Sequence, residues 1–178
     1  KSFGPLSCNS GQLSVIPFNQ SEDLWKNEIM QVCIDGSEET IGDFGCALTS
    51  MAMLLNSHGE SVTPLLLNDF LKENNGYLEC AQIKWDVAKA YGTSNIEFIG
   101  NGAFYYNDIK LYIDSQNPVI MAVNNGGHFV IITGYKNNGE TSQDFTILDP
   151  AGGVERLLSF YSEDCIEGTE VLRIFGSV

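Results

Sequence analysis

The sequence predicts an α+β fold, because the spacing of its apolar residues changes from helical to strand-like part of the way along the chain. In the first half, the apolar residues of segment 47–55 recur at the three- and four-residue spacing of a buried helix. From Pro118 onward, short Val- and Ile-rich runs alternate with turn residues. With 178 residues and no repeat, we expect one domain, residues 15–178, after an N-terminal arm, residues 1–14. Helices are expected on one side of an antiparallel sheet.

The N-terminal quarter is expected to be mostly irregular. Residues 1–14 are rich in Ser, Gly and Asn, which is typical of an extended arm. Pro17 makes residues 15–20 a short extended segment rather than a central strand. Residues 21–29 begin with Ser-Glu-Asp and indicate a brief helical turn. The polar residues 35–43 are expected to form a loop.

The central feature is an apolar helix that begins at Cys46 and ends near Gly59, with Asp43 as its expected N-cap. A thiol in the first turn of a helix faces unpaired backbone N–H groups and the positive end of the helix dipole. Both favour the thiolate over the thiol, so Cys46 is a candidate nucleophile. The alternative is a small buried hydrophobic residue, because Gly-Cys before a helix is a weak pattern by itself.

Three further helices and a group of strands are expected. Residues 65–73 follow Thr63 as N-cap and Pro64 at the first helical position. A third helix stops at Gly92, and residues 107–115 have the spacing of a fourth. The strands are expected at residues 96–99, 119–123, 128–136, 145–149, 154–160 and 171–175.

The charge and composition narrow the range of partners. Nine Lys and Arg against 23 Asp and Glu leave a net charge of −14, with no basic cluster. Nucleic acid and anionic membrane surfaces are therefore not expected partners. The longest apolar runs, such as residues 129–132, are too short to insert across a bilayer. No C-x-x-C pair suggests a zinc or redox site, so we expect no metal and no cofactor, and we expect a monomer.

The five cysteines form an odd set. If Cys46 is the free thiol, the other four could form two disulfides in any of three connectivities. These four are Cys8, Cys33, Cys80 and Cys165. Disulfides persist in oxidising compartments, and the acidic composition and a first residue other than methionine indicate the same setting. We therefore expect a secreted or extracellular protein, with five reduced thiols as the alternative.

His128 and Asp149 are a candidate pair of base and orienting carboxylate. His128 is the first residue of a strand that is apolar on both faces, so its polar ring requires a hydrogen-bond partner. The Asn-Gly pair at residues 138–139 is a strong two-residue hairpin signal, and such a hairpin places His128 directly opposite Asp149. A longer loop or a bulge within residues 137–143 would shift this register. The alternatives are a satisfied core histidine and a turn aspartate before proline.

Several segments carry a family resemblance that extends over roughly residues 15–152. They are Pro-Phe-Asn-Gln at 17–20 with Trp25, Thr-Ile-Gly at 40–42, Gly-Cys-Ala-Leu-Thr-Ser-Met-Ala-Met-Leu-Leu at 45–55, Gly59, Val-Thr-Pro at 62–64, Gly-His-Phe-Val at 127–130 and Leu-Asp-Pro at 148–150. In these segments the chain resembles the papain-like cysteine peptidases of the bacteriocin-leader (double-glycine) peptidase-like family, in a stand-alone form. The resemblance implies a papain-like fold and a triad of Cys46, His128 and Asp149.

The resemblance also implies a glutamine before the cysteine that contributes to the oxyanion hole. By position this residue is Gln20. The chain departs here from the exporter-linked members of the family, in which the glutamine lies close before the cysteine, because Thr40 and Asp43 occupy that place. The alternative is a loop glutamine. Asn19 begins a glycosylation sequon, and a glycan there would crowd the cleft, so a functional Gln20 predicts an unoccupied sequon.

The function expected from these features is that of a cysteine peptidase acting on a peptide or protein substrate. His128 would deprotonate Cys46, the thiolate would attack a peptide or isopeptide carbonyl, and water would release the acyl-enzyme. The backbone N–H of Cys46 and the Gln20 side chain would hold the oxyanion. One alternative is an acyl transferase of the same fold, in which an amine or thiol replaces water. Another is an inert domain that acts as a binding or structural module.

Overall fold

The computed structural model describes residues 9–93, 95–166 and 170–177. Within them the strands are β1 Gly11–Gln12, β2 Ile29–Val32, β3 Glu38–Thr40, β4 Ile96–Gly102, β5 Val119–Val123, β6 His128–Tyr135, β7 Phe145–Asp149, β8 Val154–Leu157 and β9 Leu172–Ser177. The helices are α1 Ile41–Phe44, α2 Cys46–Ser57, α3 Pro64–Glu73, α4 Trp85–Ala88 and α5 Tyr106–Asp114. None of the helices in these residues combines the length and apolar character that crossing a membrane requires.

The main sheet is antiparallel and contains the strands of the second half of the chain. Its order is β4, β9, β5, β6, β7, β8, and β1 pairs with the end of β6. Strands β2 and β3 form a separate two-stranded sheet. The sheet strands predicted from residue 96 onward are confirmed, although the segment predicted as a strand at 154–160 ends at Leu157 and continues as a turn of 3-10 helix, Leu158–Phe160.

Helices pack on both faces of this sheet, so the expectation of helices on one side was wrong. Helix α2 packs over β5 and β6, where it contacts a core that includes Ile120 and Ile131. Helix α5 lies against the other face, where Val130 and Ile132 belong to a second core. The physical reason is that β5 and most of β6 are apolar at every position, so each face needs a cover.

The first half contains elements that sequence periodicity did not predict. The segment 35–43, expected to be a loop, contributes β3 and the short helix α1. Strands β2 and β3 are short and only partly buried, so they lack the regular alternation that marks a half-buried strand. Helix α3 is confirmed, with the Thr63 hydroxyl accepting a hydrogen bond from the N–H of Leu66 at 3.3 Å. The third predicted helix is shorter than expected and ends at Ala88.

The expected N-terminal arm is described only from residue 9 onward. There Gly11 and Gln12 pair with Tyr135 and Gly134 as β1, and the N–H of Leu13 donates to a carbonyl of β6. Residues 11–12 of the segment are therefore a short strand of the main sheet.

One of the two expected disulfides is present, between Cys33 and Cys80. It joins the end of β2 to the loop after α3. Cys165 is a free thiol, so the prediction that all four of these cysteines pair is wrong for Cys165, and Cys8 lies outside the described residues. The bond is compatible with an oxidising, extracellular setting.

Candidate active site

Cys46 is the first residue of α2, at a junction between two helices. Helix α1 is capped by Thr40, whose hydroxyl accepts a hydrogen bond from the N–H of Asp43 at 3.3 Å. Helix α1 ends at Phe44, and its C-cap is Gly45, whose N–H donates to the carbonyl oxygen of Ile41 at 2.8 Å. A Cβ atom on Gly45 would lie 2.4 Å from that same oxygen. Glycine at this position therefore lets α2 begin at the next residue.

The expected capping role of Asp43 was wrong. Asp43 lies inside α1, and the N-cap of α2 is Gly45, which makes no side-chain cap hydrogen bond. The first N–H groups of α2 are thus available to an anion, and the 12-residue helix directs the positive end of its dipole at the same point. The Cys46 thiol, half-buried and free, lies at that end.

His128 and Asp149 are in contact, as the sequence predicted. Nε2 of His128 lies 2.8 Å from Oδ1 of Asp149. The register that produces this contact is not the predicted one. A hairpin centred on residues 138–139 would pair Ile131 with residue 146, whereas its observed partner is Leu148, two residues farther along.

The reason for the shift is the connection between β6 and β7. Residues 136–144 form a long loop that includes a 3-10 turn, Ser142–Asp144, and β6 has an irregularity between Ile132 and Gly134. A shift of two residues preserves the face to which each side chain points, because side chains alternate along a strand. His128 and Asp149 are therefore diagonal neighbours on one face rather than directly opposed residues.

Asp149 is held by four hydrogen bonds and is only 1% exposed. Oδ1 accepts from His128 and, at 2.9 Å, from the N–H of Ala151. Oδ2 accepts from the Tyr161 hydroxyl at 2.6 Å and from Nε of Arg156 at 3.0 Å. Burial alone would raise the pKa of this carboxyl, but the hydrogen bonds from His128, Tyr161 and Ala151 lower it to about 2. Asp149 is therefore a fixed carboxylate at neutral pH.

His128 connects this carboxylate to the thiol. Burial disfavours the imidazolium, yet hydrogen bonds to Asp149 and Cys46, with the charges of both, outweigh it and raise the pKa of His128 to about 9. Nε2 is engaged by Asp149, which leaves Nδ1 for the sulfur of Cys46. At neutral pH the favoured state is therefore a protonated His128 beside the Asp149 carboxylate.

Gln20 connects the segment that follows Asp149 to the segment that precedes Cys46. Its N–H donates to the carbonyl oxygen of Pro150, the residue after Asp149, at 2.9 Å. Its side-chain Nε2 donates to the carbonyl oxygen of Gly42, four residues before Cys46 in the chain, at 2.8 Å. Gln20 is 8% exposed, and Oε1 has no hydrogen-bond partner within the described residues. One N–H of the amide is committed to Gly42, which leaves the second N–H for another acceptor.

A cleft of about 540 Å³ opens beside Cys46. One wall is the loop 77–83, which the Cys33–Cys80 disulfide ties to β2. Another wall consists of aromatic side chains, of which Trp85 and Phe129 have ring centroids 5.5 Å apart. The cleft therefore places the thiol at the edge of a groove that is lined by both polar and apolar groups.

Three residues near the site were missed by sequence reasoning. Tyr161 and Arg156 bind Asp149, and Arg173 lines the cleft. A usable signal existed for Arg156, because the Pro-Ala-Gly-Gly turn after Asp149 makes β7 and β8 a hairpin that brings it back beside the carboxylate. Tyr161 and Arg173 come from a 3-10 turn's end and a distant strand, whose placement no local pattern indicates.

This geometry defines a class of site. A half-buried thiol at a helix N-terminus lies beside an imidazole whose pKa it helps to raise, and a buried carboxylate is hydrogen-bonded to that imidazole. Such a group can carry out nucleophilic chemistry at an acyl carbon. The helix that carries the thiol packs on an antiparallel sheet that carries the other two residues, which is the arrangement of a papain-like α+β fold.

The family comparison agrees with this class. The model of a family described as the Peptidase_C39 like family matches residues 12–163, and the chain belongs to that family. The comparison with curated proteins and the comparison with solved structures found no match. Membership supports a function of the cysteine-peptidase type.

Proposed function

We propose that the protein is a cysteine peptidase that uses Cys46, His128 and Asp149 as a catalytic triad and passes through an acyl-enzyme. The observation that carries the proposal is that His128 is hydrogen-bonded to a carboxylate with four donors, while Cys46, at the edge of the cleft, helps to raise the pKa of His128. Separate structural roles would not require the three residues to lie together.

In the acylation step, the thiolate of Cys46 attacks the carbonyl carbon of a peptide or isopeptide bond. The carbon–nitrogen bond breaks, and His128 gives its proton to the leaving amine. In the deacylation step, neutral His128 takes a proton from water, the resulting hydroxide attacks the thioester, and the carbon–sulfur bond breaks. A carboxylic acid leaves, and the thiolate–imidazolium pair is restored.

The oxyanion of both steps requires donors beside Cys46. The N–H of Cys46 lies at the N-terminus of α2, where backbone donors are free of helical partners. The Gln20 amide supplies the second donor in this proposal, because its side chain is anchored at Gly42 and one of its N–H groups is uncommitted. A donor of this type contributes roughly a factor of 100 to 1000 in rate.

Selective alkylation by iodoacetamide tests the proposal. An ordinary cysteine, with a pKa of about 8.5, is mostly protonated at about pH 6 and reacts slowly there. Cys46 should be alkylated rapidly at that pH, because the His128 imidazolium and the helix terminus both stabilise its thiolate. Cys165 is an internal control, since it is also a free thiol. Mass mapping of digested protein assigns each reaction to its cysteine.

The same experiment on His128→Ala completes the test. The variant should lose the rapid reaction of Cys46 at low pH and leave the rate at Cys165 unchanged. Equal, slow alkylation of both thiols in the folded wild-type protein would instead make this an inert papain-like domain with a binding or structural role. Peptide cleavage with and without an added amine distinguishes hydrolysis from acyl transfer, because a transferase would join the acyl group to the amine.

We also propose that the protein works outside the cell as a secreted enzyme. The Cys33–Cys80 bond ties one wall of the cleft to the rest of the protein, so a setting that keeps this bond oxidised would preserve the site.

A further inference from the structure

Among the described residues that line the cleft of Cys46, Arg173 is the one basic side chain. Its position follows from the sheet. On β9 it pairs with Ile120 of β5, which in turn pairs with Ile131 of β6. Paired residues share a face and side chains alternate along a strand, so Phe129, two residues before Ile131, lies on this face too. One strand, β5, therefore separates the strand of Arg173 from the strand that carries His128.

The guanidinium of Arg173 is held in place by aromatic rings and main-chain carbonyls. Its Cζ lies 5.7 Å from the ring centre of Trp85 and 5.5 Å from that of Phe129, within the range of cation–π attraction. Nη1 donates to the carbonyl oxygens of Glu170 and Leu172 at 2.5 and 3.2 Å. These contacts fix the orientation of the group and occupy only one of its three nitrogens.

The positive charge of Arg173 is not neutralised by a salt bridge within the described residues. Nε is buried without a hydrogen-bond partner among them, and burial lowers the pKa of the guanidinium while Glu170 opposes that shift. The other charged side chain of the cleft, Glu39, accepts a hydrogen bond from the N–H of Ala81 in the loop 77–83. A partly buried charge without a salt bridge is destabilising, and a bound anion would stabilise it.

We propose that Arg173 binds a carboxylate of the substrate, so that the cleft selects peptides with an acidic group close to the bond that Cys46 attacks. The carboxylate is that of an aspartate or glutamate side chain or of a free C-terminus. The aromatic walls pack the adjoining part of the peptide, while the Nη2 group, which makes no hydrogen bond within the described residues, meets the anion. This selection rests on the proposed peptidase function for its biological meaning, although binding itself requires no chemistry.

Binding to the full chain carrying Cys46→Ala tests the proposal without turnover. The probes are acetylated, amidated alanine hexapeptides with a single Glu, or a single Gln of the same shape, at each position in turn. A further alanine hexapeptide has a free C-terminal carboxylate. Affinities are followed by NMR titration at constant ionic strength, since the net charge of −14 repels acidic peptides at long range. At one or more positions the Glu peptide should bind about tenfold more tightly than its Gln partner.

Two variants in the same background assign that preference to Arg173. Arg173→Gln should remove the difference between the Glu and Gln peptides, and Arg173→Lys, which keeps the charge but not the planar group, should retain part of it. Lys89→Gln is the matched control, because Lys89 is paired with Glu97 outside the cleft and its loss also removes one positive charge. It should leave the preference intact. Tighter binding of the free-acid peptide alone would identify a C-terminal carboxylate as the ligand.

Equal binding of every Glu and Gln pair and of the free acid to folded Cys46→Ala would overturn the carboxylate site. This result needs no Arg173 variant, so misfolding of Arg173→Gln cannot obscure it. A preference that survives Arg173→Gln would also overturn it. Neither result bears on the nucleophile, which the alkylation of Cys46 examines. Conversely, slow alkylation of Cys46 together with tighter binding of a Glu peptide would support the carboxylate site and contradict the peptidase function.

Discussion

The two sides of the candidate site are held in different ways. On the side of the base, Asp149 receives four hydrogen bonds from residues on two strands, a turn and a 3-10 segment. On the side of the nucleophile, the position of Cys46 depends on one close turn at Gly45. The cleft wall beside Cys46 is tied by the Cys33–Cys80 disulfide.

This difference teaches where the site tolerates change. A carboxylate with four donors keeps its position when one donor is lost. A turn that has no room even for a methyl group must move when one is added. Substitutions of single donors to Asp149 should therefore lower the activity only slightly. Substitutions at the start of α2 should displace the Cys46 thiol and change its reactivity.

The largest effect is expected from His128→Ala. Without the imidazole, the thiolate loses its counter-ion and the leaving amine loses its proton donor, so kcat/KM for a peptide should fall by about a factor of 1000. The measurement is kcat/KM for His128→Ala and the wild-type protein, after thermal unfolding has shown that both are equally folded. Activity equal to that of the wild-type protein would remove His128 from the mechanism.

Asp149→Ala should have a smaller effect, because the carboxylate orients and supports the base but moves no proton. We expect a loss of about ten- to a hundredfold in kcat/KM, and a loss larger than that of His128→Ala would contradict the assigned roles. The alanine variant leaves Tyr161 and Arg156 without their buried partner. Asp149→Asn, which preserves the shape, is the control for that structural cost.

The pH dependence of Asp149→Asn sharpens the same comparison. The pKa of His128 is raised to about 9, so the imidazolium persists below that pH and is lost as the pH rises through about 9. The activity of the wild-type protein should therefore decline near pH 9. Removing the negative charge of Asp149 should move this decline to lower pH, as a pH profile of kcat/KM would record. An unshifted profile would separate the decline from His128.

Gly45→Ala tests the nucleophile side. The new methyl group would overlap the Ile41 carbonyl, so the start of α2 must move and the free energy of unfolding should fall by about 1–3 kcal/mol. Alkylation of Cys46 in the folded variant should slow by about tenfold. Gly36→Ala is an informative contrast because a Cβ there meets no atom within 4 Å, although its φ of +83° adds strain. It should leave the rate at Cys46 unchanged.

Removing the disulfide with Cys33→Ser and Cys80→Ser should act on the cleft and not on the thiol. A closed loop between positions 47 residues apart predicts a loss of about 3–4 kcal/mol in stability. With the loop 77–83 released, KM for a peptide should rise several-fold while alkylation of Cys46 stays fast. A fall in alkylation equal to the fall in peptide cleavage would show that the wall also positions the thiol.

Tyr161→Phe is expected to have the smallest effect. It deletes a single donor to Asp149, and His128, Ala151 and Arg156 still hold the carboxylate. We expect less than about a threefold change in kcat/KM, since one of several hydrogen bonds is lost from a network that keeps the others. A loss as large as that of Asp149→Asn would mean that the four donors are not interchangeable.

Local patterns in the sequence were sufficient for several parts of this protein. The helix that begins at Cys46 and the Thr63 cap of α3 depend on residues within a few positions of one another. The strands from residue 96 onward were predicted for the same reason. The His128–Asp149 contact was predicted through an incorrect register, because only the parity of the shift determines which side chains share a face.

Other features required the tertiary structure. The long β6–β7 loop, the cover of α5 on the second face and the pairing of Cys33 with Cys80 each depend on contacts between distant segments. The same holds for Tyr161 at Asp149 and for Arg173 between two aromatic rings. Periodicity reports which residues are buried and not which of them meet. The packing of the whole sheet determines which residues contact each other, because a two-residue change of register gives each residue a new neighbour on the adjacent strand.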